Sequence, residues 1–125
     1  MLFDSDVLIW ALRGHQRAVQ RLEKADRRRL SVVSYMELIQ GVRDKREWRL
    51  LKRFLSDSAF ELVPFSENIG HRAVVYMEEH GLNAGMRLGD ALIAATAAEI
   101  HAPLCSGDAR HYRAVAELEI DVFRP

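Results

Sequence analysis

Four acidic residues occupy places in this sequence where their carboxylates could do chemistry. Each lies beside a short apolar run or at the start of a helical pattern, and together they span most of the chain: Asp4, Glu37, Asp90 and Asp108. If the fold brings them together, carboxylates about 4 Å apart repel by roughly 4 kcal/mol per pair at an effective dielectric near 20. Such a cluster requires a cation or protons to be stable.

The donor atoms of these residues indicate which cation that would be. Carboxylate oxygens favour Mg²⁺ or Mn²⁺ over zinc, and the five histidines and the one cysteine form no grouping at zinc spacing. The sequence also lacks a Walker A loop, a GxGxxG fingerprint and a GxSxG elbow. A hard divalent ion held by carboxylates binds phosphate oxygens and lowers the pKa of a coordinated water. The acids therefore predict metal-dependent hydrolysis of phosphodiester bonds.

Each acid also has an ordinary structural role open to it. Asp4 or Asp6 suits the N-cap of a first helix, and Asp90 suits the N-cap of a later one. Glu37 stands three residues after Ser34, which is the spacing of a capping box. Asp108 follows a glycine and suits an Asx-turn. Only the combination of the four favours a site over separate structural roles.

The elements that would position these acids can be predicted from the hydrophobic pattern. Short β-branched or aromatic runs predict strands at 2–4, 30–33, 60–65, 103–105 and 120–123. Helical spacing predicts helices at 7–12, about 18–25, 34–41, from about 45, at 68–80 and at 91–100, with Gly81 and Pro103 ending the last two. Strands that alternate with helices indicate an α/β domain with a mainly parallel sheet. Such sheets bind ligands beyond the carboxyl ends of their strands, where we expect Asp4, Glu37 and Asp108.

Length and composition bound the class of protein. The 125 residues, 49% of them hydrophobic, predict one compact domain over 1–125. No apolar run approaches the roughly 20 residues that span a membrane, and the start MLFDSD has no leader pattern, so we expect a cytoplasmic protein without a membrane partner. Cys105, in the run APLC, should be a buried and unreactive thiol.

Charge alone gives no argument for nucleic-acid binding. Eighteen basic residues balance eighteen acidic ones, so the formal net charge is 0. Two bound divalent ions would change it to 0 + 4 = +4, which would suit a polyanion better. Basic residues cluster at 27–29 and 43–53, and clusters of this size are usually solvated helix faces.

Four ordered segments resemble the PIN-domain ribonucleases, in particular the VapC-type toxins of bacterial toxin–antitoxin pairs. The segments are LFDSDVLIW at the start, SYMELIQG at 34–41, LGDALIAATA at 88–97 and SGDARHY at 106–112. The resemblance implies a PIN-like three-layer fold, with a mainly parallel central sheet flanked by helices. It also implies an endoribonuclease that uses Mg²⁺ or Mn²⁺ and leaves a 5′ phosphate and a 3′ hydroxyl.

Carried over by position, the resemblance assigns roles to particular residues. The catalytic, metal-binding set would be Asp4, Glu37, Asp90 and Asp108, with Asp4 and Asp90 between metal positions and the other two on either side. Ser5, Asp6 and Ser106 would give polar support, with Asp6 at a place where the family often has asparagine. The arginines nearest the acidic motifs would hold the RNA backbone: Arg13, Arg87, Arg110 and Arg113.

The resemblance further implies partners. VapC-like proteins are usually homodimers that bind a cognate antitoxin on a helical surface. The first four helices offer groove candidates that an ordinary core would use as well: Trp10, Tyr35, Leu38 and Trp48. Trp10 lies in an apolar helical stretch and suits the core or an interface better than base stacking.

Two alternatives remain open. FDSDV resembles the aspartyl-phosphate loop of haloacid-dehalogenase-type phosphatases, in which Asp4 would attack phosphorus and Asp6 would act as acid and base. That enzyme would leave SYMELIQG without a role, and the sequence has no clear lysine motif ahead of the acidic pair. The other alternative is a non-catalytic PIN-like module that binds RNA or protein. For the ribonuclease and for the RNA-binding module alike, the sequence does not identify the RNA target.

Overall fold

A five-stranded parallel sheet organises the molecule. The computed structural model describes all 125 residues, Met1–Pro125. The strands are β1 (Leu2–Phe3), β2 (Arg28–Ser31), β3 (Phe60–Val63), β4 (Leu104–Ser106) and β5 (Ile120–Val122). The helices are α1 (Ser5–Leu12), α2 (Gln16–Lys24), α3 (Val32–Gly41), α4 (Lys45–Asp57), α5 (Glu67–Ala84), α6 (Leu88–Glu99) and α7 (Ala109–Tyr112).

The strand order creates one topological switch point. The order is β3-β2-β1-β4-β5, with every pair parallel, which confirms the predicted sheet. Leu2 in the central strand β1 lies opposite Arg29 on one side and Leu104 on the other. The chain first winds outward through β2 and β3 and then returns to place β4 on the other side of β1. Ligands of open α/β sheets bind at this kind of reversal, here at the carboxyl ends of β1 and β4.

Helices cover both faces of the sheet, and each face has its own core. Successive side chains of a strand point to opposite faces. Leu2 accordingly packs in a cluster with residues of α5 and α6, while Phe3 packs in a second cluster with residues of α1, α2 and α4. Both strand residues are fully buried, so β1 is fixed from both sides. No helix is both long enough and apolar enough to cross a membrane.

The second strand ends earlier than predicted, and the capping box proposed for Ser34 and Glu37 is wrong. Val32 begins α3, and Ser31 is the N-cap, with its hydroxyl accepting from Val33 N at 3.2 Å. Ser34 is buried inside the helix. A serine N-cap ends the strand even though the β-branched residues that follow favour extended structure.

The later helices also differ from their predicted bounds. Gly81 does not end α5, which continues to Ala84 and ends at Gly85, a residue in the left-handed region at φ 66°. The sixth helix begins at Leu88, so Asp90 is its third residue and not its N-cap. Asp90 still stabilises the helix start, because its carboxylate accepts from Arg87 N at 3.2 Å. The short helix α7 and the extent of β4 to Ser106 were not predicted.

Candidate active site

Asp4 is the buried centre of the site. It follows β1 directly and is the N-cap of α1, with Oδ1 accepting from Ser5 N at 2.8 Å. Its other oxygen, Oδ2, accepts from the hydroxyls of Ser106 at 2.8 Å and Tyr112 at 3.0 Å. Burial raises the pKa of Asp4, and these hydrogen bonds oppose that shift because they stabilise the carboxylate. The carboxylate is therefore held in one orientation by three separate parts of the chain.

The pairing of β1 with β4 explains why these groups meet. Asp4 N donates to Cys105 O at 2.9 Å, so the pairing extends one residue past β1 and brings Ser106 beside the carboxylate. Tyr112, 1% exposed, reaches the same oxygen from α7. Sequence reasoning did not assign Tyr112, although it lies in the quoted motif SGDARHY, four residues after Asp108.

Glu37 and the start of α6 approach Asp4 from the other side. The Ser5 hydroxyl lies 3.3 Å from Glu37 Oε1 and 3.5 Å from Asp4 Oδ1, so it stands between the two carboxylates. A Cβ placed on Gly89 would lie 3.4 Å from Glu37 Oε2, which puts Glu37 against the residue before Asp90. The pKa of Glu37 is raised by partial burial and by the negative charges of Asp4 and Asp90. The fold thus brings three of the four predicted acids together.

Asp6 is tied to the turn after β4. Its Oδ2 accepts from Gly107 N at 2.8 Å, and a Cβ at Gly107 would lie 2.6 Å from that oxygen, so a larger residue there would displace the carboxylate. The other oxygen, Oδ1, is buried and has no hydrogen-bond partner. Burial raises the pKa of Asp6 to about 6, and the charges of Asp4 and Asp108 add to the shift.

Asp108 lies at the exposed side of the site. Its backbone N–H donates to the Ser106 hydroxyl at 3.0 Å, and its Oδ2 is 3.5 Å from His111 Nε2. The charges of Asp4 and Asp90 raise the pKa of Glu37, whereas those of Asp4 and Asp108 raise the pKa of Asp6.

The residues fit a hard divalent cation by their chemistry. The donors are carboxylate and hydroxyl oxygens, Asp6 Oδ1 is buried without a partner, and burial opposes the ionisation of three of the carboxyls. With the side chains in their present positions, no group of three or more acidic, histidine or cysteine side chains is placed to hold one ion. The acids share one site, but a closed coordination shell would need side-chain rotation.

The four predicted RNA-binding arginines are all exposed. Arg13 is the C-cap of α1, with its guanidinium 5.9 Å from the centre of the Trp10 ring. Arg87 lies at the start of α6, Arg110 lies on α7 and Arg113 follows α7 directly. None of the four arginines forms an ion pair. Trp10 itself packs against the core, as predicted.

Cys105 behaves as predicted and takes no part in the site. The thiol is fully buried in β4, and burial raises its pKa to about 12. A thiol with so high a pKa remains protonated at neutral pH and is a poor nucleophile and metal ligand.

Comparisons with known proteins agree with this architecture. The family model for the PIN domain matches residues 1–118. The fold is similar to VapBC2 of Rickettsia felis, solved with a DNA fragment from its promoter (TM-score 0.80, 20% identity, 98% of each chain covered). It is also similar to DNA-bound VapBC of Salmonella typhimurium (TM-score 0.84, 16% identity, 97% of this chain and 96% of that chain covered). A toxin–antitoxin complex of Klebsiella pneumoniae is similar as well (TM-score 0.76, 24% identity, 94% of this chain and 93% of that chain covered). No curated relative is similar enough in sequence to be matched. The chain belongs to the PIN domain family.

Proposed function

We propose that this protein is a Mg²⁺- or Mn²⁺-dependent endoribonuclease. The observation that carries the proposal is the meeting of Asp4, Glu37 and Asp90 at the switch point of the sheet, where burial and mutual repulsion raise the pKa of the first two. Carboxylates that repel one another in this way gain stability from a cation, and hard cations bind phosphate oxygens. Asp108, in the turn after β4, and Asp6, which is hydrogen-bonded to that turn, would add further carboxylate oxygens.

Each side chain has a definite part in this proposal. Asp4, Asp90, Glu37 and Asp108 would hold the ion. When bound, the ion supplies positive charge to the phosphate oxygens and lowers the pKa of a coordinated water. Ser106 and Tyr112 fix the orientation of Asp4 through its Oδ2. Glu37 is partly buried but still open to solvent and has a raised pKa, so we assign it the role of accepting the proton of an attacking water.

The four exposed arginines would hold the RNA backbone. Their guanidinium groups have no carboxylate partner in this chain and can pair with phosphates. In-line attack by water would leave a 5′ phosphate and a 3′ hydroxyl.

We also propose that the nuclease is the toxin of a toxin–antitoxin pair. The support is that the similar structures are toxin–antitoxin complexes, including VapBC complexes, together with the PIN family match. A cognate antitoxin, a homodimeric state, a single domain over 1–125 and a cytoplasmic location belong to the same proposal. The PIN family match gives no support to the aspartyl-phosphate alternative.

The test is cleavage of a mixed RNA pool by purified protein with Mg²⁺ or Mn²⁺, compared with EDTA and with Asp90→Asn. An asparagine keeps a side-chain oxygen that can accept from Arg87 N, so the helix start should remain intact. Asp57→Asn, at the exposed end of α4, is the matched control. Cleavage lost with EDTA and in Asp90→Asn, but kept in the control, supports the proposal. Folded wild-type protein that binds RNA and does not cleave it would favour the non-catalytic module.

A further inference from the structure

One face of α4 carries five basic side chains that have no carboxylate partner in this chain. We define this basic stripe as Lys45, Arg46, Arg49, Lys52 and Arg53. At about 100° per residue they fall within an arc of about 120°, over about 12 Å of helix. The buried residues Leu51 and Leu55 lie on the opposite side and pack in the core. All five basic residues are exposed, and none forms an ion pair.

The stripe differs from the other basic residues of the molecule. Arg21, Arg27 and Arg72 each pair with a carboxylate from a distant part of the chain. Arg43, just before α4, pairs with Glu47. Within the stripe, Arg49 donates only to the backbone oxygen of Lys45, at 3.3 Å, and Lys52 Nζ lies 4.7 Å from the centre of the Trp48 ring.

This arrangement is unfavourable for the isolated helix. Arg49 has a like charge three or four residues away in both directions, and such pairs destabilise a helix. Lys45 and Arg46 lie in the first turn, where the positive end of the helix dipole disfavours cations. A polyanion placed along the stripe would relieve both effects, because its phosphates can pair with the side chains and with the helix N-terminus.

Topology directs the start of the stripe towards the acidic site. The chain leaves β2 at the carboxyl edge of the sheet, where Ser31 caps α3, and must return to the amino edge to begin β3. The end of α4 lies at that amino edge, because Ser58 O accepts from Arg28 Nη1 at 3.1 Å. Glu37, in the middle of α3, still lies at the carboxyl edge beside Ser5. A helix of 13 residues is about 20 Å long, so α4 makes most of the return and its Lys45 end faces the carboxyl edge.

We infer that the basic stripe of α4 binds the phosphodiester backbone of RNA outside the acidic site. The identity of the polyanion rests on the proposed ribonuclease function, while the charge argument rests on α4 alone. Contacts to backbone phosphates fix position and carry no sequence information. The stripe therefore adds affinity for single-stranded RNA of any sequence.

The experiment compares two variants of equal net charge. Arg46→Gln/Arg49→Gln/Arg53→Gln removes three charges from the stripe and leaves the Lys52–Trp48 contact in place. Arg17→Gln/Lys24→Gln/Arg124→Gln removes three exposed, unpaired charges elsewhere. Glutamine has a helix propensity close to that of arginine and lysine, so both variants should fold. Fluorescence anisotropy of a labelled 12-mer of oligouridylate in EDTA, across a salt series, gives affinity without hydrolysis.

The stripe variant should bind the 12-mer roughly tenfold more weakly, and its salt slope should fall by about 2, at roughly 0.7 per lost phosphate contact. The control variant should keep the wild-type slope. Equal slopes for the two variants would overturn the inference. Weaker binding of poly-glutamate together with unchanged binding of oligouridylate would also overturn it, in favour of an acidic protein partner. Wild-type cleavage with Mg²⁺, measured separately, shows whether the proposed ribonuclease function fails independently.

Discussion

At the scale of single residues, the orientation of Asp4 depends on hydroxyl groups from the other half of the chain. A buried carboxylate is costly unless donors satisfy it, and Ser106 and Tyr112 both donate to Oδ2. Ser5 N then occupies one position on Oδ1 and leaves that oxygen able to accept a further interaction. The positioning of Asp4 is therefore a property of β4 and α7 as much as of the first strand.

Replacement of Tyr112 by phenylalanine tests this positioning role. The ring keeps its packing, but the buried carboxylate loses one donor, so Tyr112→Phe should lower the free energy of unfolding by about 1.5–3 kcal/mol. Urea unfolding at pH 7 measures it. Cleavage should slow as well, because Asp4 gains rotational freedom.

Tyr76→Phe is the matched control for the Tyr112 substitution. The Tyr76 hydroxyl donates to Glu117 in a charged network with Arg72, well separated in sequence from the acidic motifs. This variant should lose some stability and leave the cleavage rate per folded molecule unchanged. Equal effects of the two substitutions on cleavage would show that Tyr112 acts only through stability.

Asp6 gives a prediction about pH. Its pKa in the folded protein is about 6, above the ordinary value of 3.8, because burial disfavours the charge. The folded state therefore keeps this proton to higher pH than the unfolded state does. Its contribution is fully present below about pH 4 and is lost as the pH rises through about 6. Metal-free protein should thus become less stable across this window.

Asp6→Asn should remove part of this pH dependence. Asparagine can still accept from Gly107 N, but it carries no charge to bury, so the variant should be more stable than the wild type at pH 7. Urea unfolding between pH 4 and 8 in EDTA measures the difference, with Asp57→Asn as the exposed control. If the free energy of unfolding of Asp6→Asn kept the wild-type dependence on pH, the assignment of that dependence to Asp6 would be contradicted.

At the scale of elements, the sequence predicted the sheet and most helices but misplaced several of their ends. Gly81 and Gly85 both suit a helix end, and α5 continues past the first because its neighbouring helix α6 packs along it. Ser31 rather than Ser34 caps α3, and Ser34 lies buried within the helix. The residues at which these helices begin and end depend on tertiary packing, which local helix propensity does not take into account.

The positions of Asp4, Glu37 and Asp108 were predictable at this scale because parallel strands end at one edge of the sheet, whereas that of Asp90 followed only from the family resemblance. The donors of Asp4 were only partly predictable: the role of Ser106 followed from the family resemblance, while that of Tyr112 depends on how α7 folds back over β4. The rotamers of the acidic side chains, which do not form a closed ion-binding group, likewise could not be predicted from the local sequence.

The small residues of α6 let this helix pack closely against α5 in the core. Four alanines of α6 are fully buried, and Ala94 is one of them at 0% exposed. Ala94→Leu adds volume to a packed core and should lower the free energy of unfolding by about 1–3 kcal/mol. Ala116→Leu, at an exposed position, should change it by less than about 0.5 kcal/mol. Comparable losses in the two variants would show that α6 is not closely packed.

At the scale of the whole molecule, a net charge of 0 conceals a division of charge. Acidic groups collect at the carboxyl edge around β1 and β4, while α4 carries an unpaired basic face. The acidic collection opposes folding in the absence of a cation, since its members repel one another in a partly buried site. Binding of a divalent ion by the folded state alone should therefore stabilise the whole protein.

Titration with Mg²⁺ or Mn²⁺ tests this coupling without any RNA. At 100 times the dissociation constant, binding adds about 2.7 kcal/mol to the free energy of unfolding, which should raise Tm by about 5–10 °C. NaCl at matched ionic strength should give much less, because screening does not replace direct ligands. Asp90→Asn and Glu37→Gln should each reduce the metal-dependent rise, while Asp57→Asn should keep it. An equal rise in all four proteins would place the ion elsewhere, and no rise in the wild type would mean that the acids do not hold an ion without substrate.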